Sequence, residues 1–203
     1  MEIAIKRLAK RDFNRARQFA VVGMHLNWYT RNRLELFLYS HYFWSLEIDR
    51  ATRAYGAYQG DKLVGVLLAD MVKEQPILPS WQRRIFIKLS QWVIKHFYGS
   101  MTSQYEGANA EMLATYQQQH HCDGELNFFA VDPTIIGQGL GTRLLNQLAK
   151  DMAGQNIYLY TDSGSTYQFY LHRGFSIVGQ RELKLEKQGK LIPLTCYLMA
   201  KAL

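Results

Sequence analysis

Three glycines spaced two residues apart, Gly137, Gly139 and Gly141, stand between a strand-like segment and a helix-like one. That order constrains what this chain can fold into more than any other feature. From Leu126 to Val131 the residues are mainly apolar, aromatic or β-branched, which predicts a buried strand with Glu125 at its start. Asp132-Pro133 ends it, because proline has no N–H to offer a ladder. Beyond the glycines, Leu144, Leu145, Leu148 and Met152 recur at helical spacing. Glycines permit a tight path with several amide N–H groups turned to one side, and a helix N-terminus adds positive potential. Together they predict an anion cradle suited to a pyrophosphate. The spacing G-x-G-x-G is neither the dinucleotide fingerprint nor the P-loop, and Thr142-Arg143 stands where the latter needs Lys-Ser/Thr. A glycine-rich turn without a ligand is the alternative.

The run Val131-x-Pro133-x-x-x-Gly137-x-Gly139-Leu140-Gly141-x-x-Leu144-Leu145 resembles the acetyl-coenzyme A loop of the GNAT N-acetyltransferases. Farther on, Phe169-Tyr170-Leu171-His172-Arg173-Gly174-Phe175 is similar to that family's F-Y-x-x-x-G-F segment, and the resemblance is close over residues 123–181. It implies an α+β fold in α/β/α layers, with a central twisted mixed sheet of six to seven strands flanked by helices. It also implies an N-acetyltransferase that moves the acetyl group of acetyl-CoA directly to a primary amine of a small molecule or peptide. By the same resemblance, the backbone of Phe129, Ala130 and Val131 would pair with the pantetheine arm. The amides of Gly137, Gln138, Gly139, Leu140, Gly141 and Thr142 would hold the pyrophosphate, helped by Arg143.

Two side chains match catalytic positions of the family. Tyr170 would protonate the departing thiolate, a role for which a phenol with an ordinary pKa of about 10 is suited; aromatic core packing is its alternative. Glu125 falls where some members, including the histone-modifying branch, place a glutamate that acts as base through water. Partial burial would improve such a carboxylate as a base; an ordinary surface carboxylate is the alternative. The Val131 N–H would be the oxyanion donor. Three positions depart from the family pattern: Ile136 where Gln or Arg is usual, and Ser163 and Thr166 where Asn and Ala are frequent. Asp162 and Ser163 are candidates to supply the polar contact so lost. No serine or cysteine is placed with a histidine to suggest a covalent intermediate.

Elsewhere the pattern predicts a strand within residues 1–8, a helix from Asp12 to Leu26 and another from Thr30 to Leu46. The second should turn Leu34, Phe37, Leu38 and His41 inward. A hairpin follows, with strands 52–58 and 63–69 about Gly60-Asp61. Residues 73–122 then read as a helical insertion before the central strand and near the substrate opening, with one helix at Trp81–Tyr98 and a polar one at Glu106–His121. The row Trp81, Ile85, Leu89, Trp92, Val93 and Phe97 would extend the core or form a homodimer face. Membrane attachment is not expected, because its tryptophans can serve as core. The remaining elements are a helix from Leu140 to Ala153, a strand at 157–161, a helix at 163–172 and strands at 175–180 and 195–200, with a turn at Gln188-Gly189-Lys190.

With 203 residues, 48% of them hydrophobic, the chain reads as a single domain over 1–203. No apolar run approaches the roughly 18 residues of a membrane span and no signal-like segment opens the chain, so a cytoplasmic location is expected. Cys122 and Cys196 lack C-x-x-C spacing and are expected as reduced thiols. His120, His121 and Cys122 are merely adjacent, and no metal is expected. The net charge of +7 is concentrated in residues 1–33, where eight basic residues face two acidic ones. No nucleic-acid recognition motif accompanies that charge, and nucleic acid is not expected as a partner. A non-catalytic acyl-CoA-binding module is the rival reading of the whole.

Overall fold

The computed structural model describes residues 2–30, 32–98, 101–135, 137–187 and 190–203. Ile136 and the expected turn residues Gln188 and Gly189 lie outside them. Seven strands form a mixed sheet: β1 (Ile3–Arg7), β2 (Arg53–Gln59), β3 (Lys62–Met71), β4 (Gly124–Val131), β5 (Asn156–Asp162), β6 (Ser176–Lys187) and β7 (Lys190–Ala202). Their order is β1-β2-β3-β4-β5-β7-β6. The helices are α1 (Phe13–Gly23), α2 (Arg33–Arg50), α3 (Trp81–Tyr98), α4 (Met101–Gln117), α5 (Leu140–Asp151) and the short α6 (Gln168–Leu171). The α+β class and the helix-flanked sheet agree with the sequence reading. Two compact units make up the chain: Met1–Ile87 with Leu126–Ala153, and Lys88–Glu125 with Gly154–Leu203.

In the first unit, β1 and β3 both pair antiparallel with β2, and the β2–β3 hairpin turns at Gly60, whose φ of 63° suits glycine. A core of Ala16, Phe19, Trp44, Ile48, Val66, Leu68 and Phe128 joins α1 and α2 to the strands. Successive residues of a strand face opposite ways, and Gly65, beside Val66, receives α5. A Cβ at Gly65 would sit 3.1 Å from Leu144 Cδ1 and 3.2 Å from Val131 Cγ1, so glycine lets helix and strand approach. Of the row read at helical spacing, Leu144, Leu145 and Leu148 are buried and Met152 is half-buried just past the end of α5, while Leu140 at its start is buried too.

Helix α2 corrects the sequence reading. It begins at Arg33, capped by the Asn32 side chain accepting from Glu35 N at 2.9 Å, and runs on to Arg50. Leu34, Phe37 and Leu38 do not point inward; Leu34 is 68% exposed and the other two about half. The buried face carries Ser40, Trp44, Glu47 and Ile48 instead. Ser40 and Glu47 interrupt its apolar period, so the run of leucines drew the prediction to the neighbouring side.

In the second unit, β7 lies between β5 and β6 and pairs antiparallel with both, over Asn156↔Ala202 to Asp162↔Cys196 and Ser176↔Ala200 to Lys187↔Lys190. Both β6 and β7 are far longer than expected. Helix α4 packs on this hairpin: Met112 clusters with Leu194, Cys196 and Leu198, and a Cβ at Gly179 would meet Met112 Cβ at 3.1 Å. It starts at Met101 and ends at Gln117, earlier at both ends than read from sequence. The expected helix at 163–172 shortens to α6, because Gly164 N donates to Asp162 Oδ1 at 2.9 Å and Ser163 N to Thr195 O at 2.8 Å, which ties the preceding residues into a turn.

Helix α3 buries the side that the apolar period did not mark. Ile87 is buried and Phe86, Ser90 and Ile94 are half-buried, whereas Trp81, Ile85, Leu89, Trp92 and Val93 face outward. Of the row read as a core extension or a homodimer face, these five residues are exposed, which goes against the core reading; the Phe97 side chain lies outside those described.

Candidate functional site

Within the first unit, β4 ends at a braced corner. Asp132 N donates to Val64 O at 2.8 Å, while the Thr134 hydroxyl and amide donate to Asp132 Oδ1 at 2.6 and 3.0 Å. Arg15 donates to Asp132 Oδ2 at 3.0 Å and to Leu63 O at 2.5 Å. The Thr134 hydroxyl, with its amide and Arg15 in support, holds the Asp132 carboxyl below its ordinary value, and burial opposes this. Sequence reading assigned Asp132 only the end of a strand; its helical partner Arg15 left no local signal.

Beyond this corner lies the glycine loop that the sequence reading took for an anion cradle. Gly137 and Gly139 have φ of 77° and 62°, in the left-handed region, and a Cβ at either would meet nothing within 4 Å. The glycines therefore serve the backbone path and leave its outer side open. Arg143 N donates to Gly139 O at 2.9 Å, closing the first turn of α5. The amides of Leu140, Gly141 and Thr142 thus belong to a helix N-terminus, where no intrahelical acceptor exists. Gly141, by contrast, is buried within the helix. Gln138 is exposed and Thr142 half-buried. The Arg143 guanidinium donates to Ile3 O at 3.3 Å, so it links α5 to β1. Peptide N–H groups on an open left-handed path at a helix terminus are a donor set that fits a pyrophosphate.

On β4 itself, Ala130 is buried, and Phe129 and Val131 are half-buried on the alternate face. Asn127 donates from Nδ2 to Glu47 Oε2 at 2.7 Å and to Glu47 O at 3.1 Å. Glu47, a buried carboxylate, also accepts from Arg50 Nη2 at 2.8 Å. This pair fastens the last turns of α2 to the central strand, and sequence reading missed it. Asn127 Oδ1 and Trp44 Nε1 are buried without a hydrogen-bond partner.

Within the second unit, Glu125 stands at the start of β4, where the strand pairs in parallel with β5 at Gly124↔Ile157 and Glu125↔Tyr158. Glu125 is half-buried, and the Tyr158 hydroxyl donates to its Oε2 at a long 3.4 Å. Tyr170 lies in α6, after the turn that follows β5. Its ring meets Phe169 and Phe175 edge to face at 5.3 and 5.7 Å, and its carbonyl accepts from Arg173 N and Phe175 N. Gly174, with φ of 82°, makes that reversal. The residue as a whole is only partly buried, yet burial around the hydroxyl pushes the phenol well above its ordinary value. Asp162 and Ser163 are engaged locally, Asp162 by Gly164 N and Ser163 Oγ by Thr195 N at 3.1 Å. Among the described residues no three His, Cys, Asp or Glu side chains are grouped to hold a metal ion.

The family described as the acetyltransferase (GNAT) family matches residues 13–175. No curated protein matches the chain in sequence. Among solved structures, a protein described as histone acetyltransferase HPA2 and related acetyltransferase, from Corynebacterium glutamicum, aligns with TM-score 0.58 and 18% identity over 100% of this chain and 97% of its own. The polyamine N-acetyltransferase of Drosophila melanogaster aligns with TM-score 0.58 and 15% identity over the whole of both chains. The PaiA N-acetyltransferase of Thermoplasma acidophilum, solved with coenzyme A, gives TM-score 0.55 and 14% identity, again over the whole of both. At such identities the structural likeness speaks to the fold.

Proposed function

Because this chain belongs to the acetyltransferase (GNAT) family, we propose that it acetylates a primary amine of a small molecule or peptide, with acetyl-CoA as donor. The observation that carries this reading is the pair of left-handed, outwardly open glycines, Gly137 and Gly139, at the N-terminus of α5. Bound acetyl-CoA would supply an acyl carbon activated as a thioester, open to direct attack by the amine. Residues 137–142 would hold the pyrophosphate through backbone N–H groups, and Phe129, Ala130 and Val131 would offer their backbone to the pantetheine amides. The Val131 N–H would stabilise the developing oxyanion. Glu125 would accept the proton of the acceptor ammonium through water. Tyr170, which burial keeps protonated, would hold a proton ready for the departing sulfur. An amine acceptor accords with the relatives, one of which acts on polyamines.

Thermal unfolding with acetyl-CoA tests the cradle. Ligand at a hundred times its Kd adds about 2.7 kcal/mol, or about 5–11 °C for a chain of this size. That shift should vanish in Gly139→Glu. Tyr170→Phe should keep the shift and lower kcat towards an accepted amine by about 10²–10⁴. A full shift with turnover indifferent to both Tyr170→Phe and Glu125→Gln would favour the acyl-CoA-binding module.

A further inference from the structure

The outer face of α3 presents apolar and basic residues side by side. Trp81 is 71% and Trp92 63% exposed, and Ile85 and Leu89 between them are more than half exposed. At 1.5 Å per residue, Trp81 to Trp92 make a row about 16 Å long on one continuous helix. Helical spacing sets Arg84 and Lys88, both exposed, along the flank of that row. His96 stacks on Trp92 at 5.7 Å and extends the row by a turn. The helix contains Arg83, Arg84, Lys88 and Lys95 and no acidic residue. Asp49, from α2, meets both Arg83 and Arg84, at 3.4 and 3.2 Å. One carboxylate against two guanidiniums leaves a positive surplus.

We propose that this face of α3 docks on an anionic lipid surface, the apolar row entering the interface and the basic row meeting headgroup phosphates. Exposed tryptophans beside basic residues are the pattern of interfacial helices, since an indole is amphipathic and a lysine stem can lie along apolar surface while its ammonium reaches phosphate. No helix among the described residues is long and apolar enough to cross a membrane, so the contact is peripheral. A second copy of the chain fits this face less well. Two-fold packing of α3 on itself would bring Arg84 and Lys88 near their own images without a carboxylate from the helix to separate them.

The test uses the whole protein and vesicles of phosphatidylcholine, alone or mixed with phosphatidylserine. Co-sedimentation should be about tenfold or more stronger with the mixed vesicles, fall with added salt, and bring a blue shift of tryptophan emission. Trp81→Ser with Trp92→Ser should abolish it and Lys88→Glu should weaken it, while both variants keep the wild-type melting temperature. Equal binding to both vesicle types, binding unchanged in the variants, or no binding at low salt would overturn the proposal. So would a concentration-dependent dimer in sedimentation velocity that the tryptophan double variant dissolves, since a second copy would then cover the face.

Discussion

Helices α5 and α3 look alike as sequence patterns and meet opposite fates. Each carries a row of large apolar residues at helical spacing. In α5 the row Leu140, Leu144, Leu145 and Leu148 is buried to the last residue, with Arg143, Asn146 and Lys150 outside. In α3 the row Trp81, Ile85, Leu89 and Trp92 is the outside, because Phe86, Ile87 and Ile94 give the helix a second apolar side and that one is inward. Periodicity says which residues share a face. It names the buried face only when the other faces are polar. A helix apolar on two sides needs something else on one of them, and for α3 the adjoining basic row suggests what.

Substitutions that separate burial from pattern put this contrast at risk. Leu144→Ala should cost about 2–5 kcal/mol, because the side chain is fully buried and seated over Gly65. A smaller loss would mean that α5 is held less closely than its packing implies. Asp132→Asn at the base of the cradle should cost about 1–3 kcal/mol near neutral pH, through the contact with Arg15. Its sign with pH is fixed: the folded pKa is depressed, so the unfolded chain binds the proton first as pH falls. The carboxylate's contribution is complete above its unfolded value of about 4 and is lost below that as pH falls through the folded pKa. Melting curves of wild type and variant should therefore converge in acid; parallel curves would refute the assignment. The smallest effect belongs to α3. Leu89→Ala, with the side chain in solvent, should change stability by no more than about 0.5 kcal/mol. A loss comparable to that of Leu144→Ala would show that the outer row is packed in solution.

The same contrast explains what could be read in advance. The strand–glycine–helix order was legible because each part carries a local signal: proline after the strand, glycines with positive φ and a strictly amphipathic helix. The seven strands were legible as segments, but β6 and β7 extend beyond their apolar centres because Arg181, Glu182 and Lys184 lie in a long hairpin ladder. The face of α2 was misread because its inward stripe contains Ser40 and Glu47, whose burial depends on Arg17 and on Asn127 and Arg50. The Asp132 corner was hidden for the same reason: Arg15, Leu63 and Asp132 meet only after folding. Polar groups buried by long-range partners leave no periodic trace.

The place of β7 in the sheet bears on the order in which the protein can assemble during synthesis. β7 is the last of the seven strands to be translated, yet it lies between β5 and β6. Until it emerges, those two strands have no common partner and their facing edges stay open. The first unit contains no residue beyond Ala153. At about 5–20 residues per second, the ribosome spends several seconds adding residues 154–203 after that unit is complete in sequence. A pause in translation near β7 would prolong the exposure of those edges of β5 and β6.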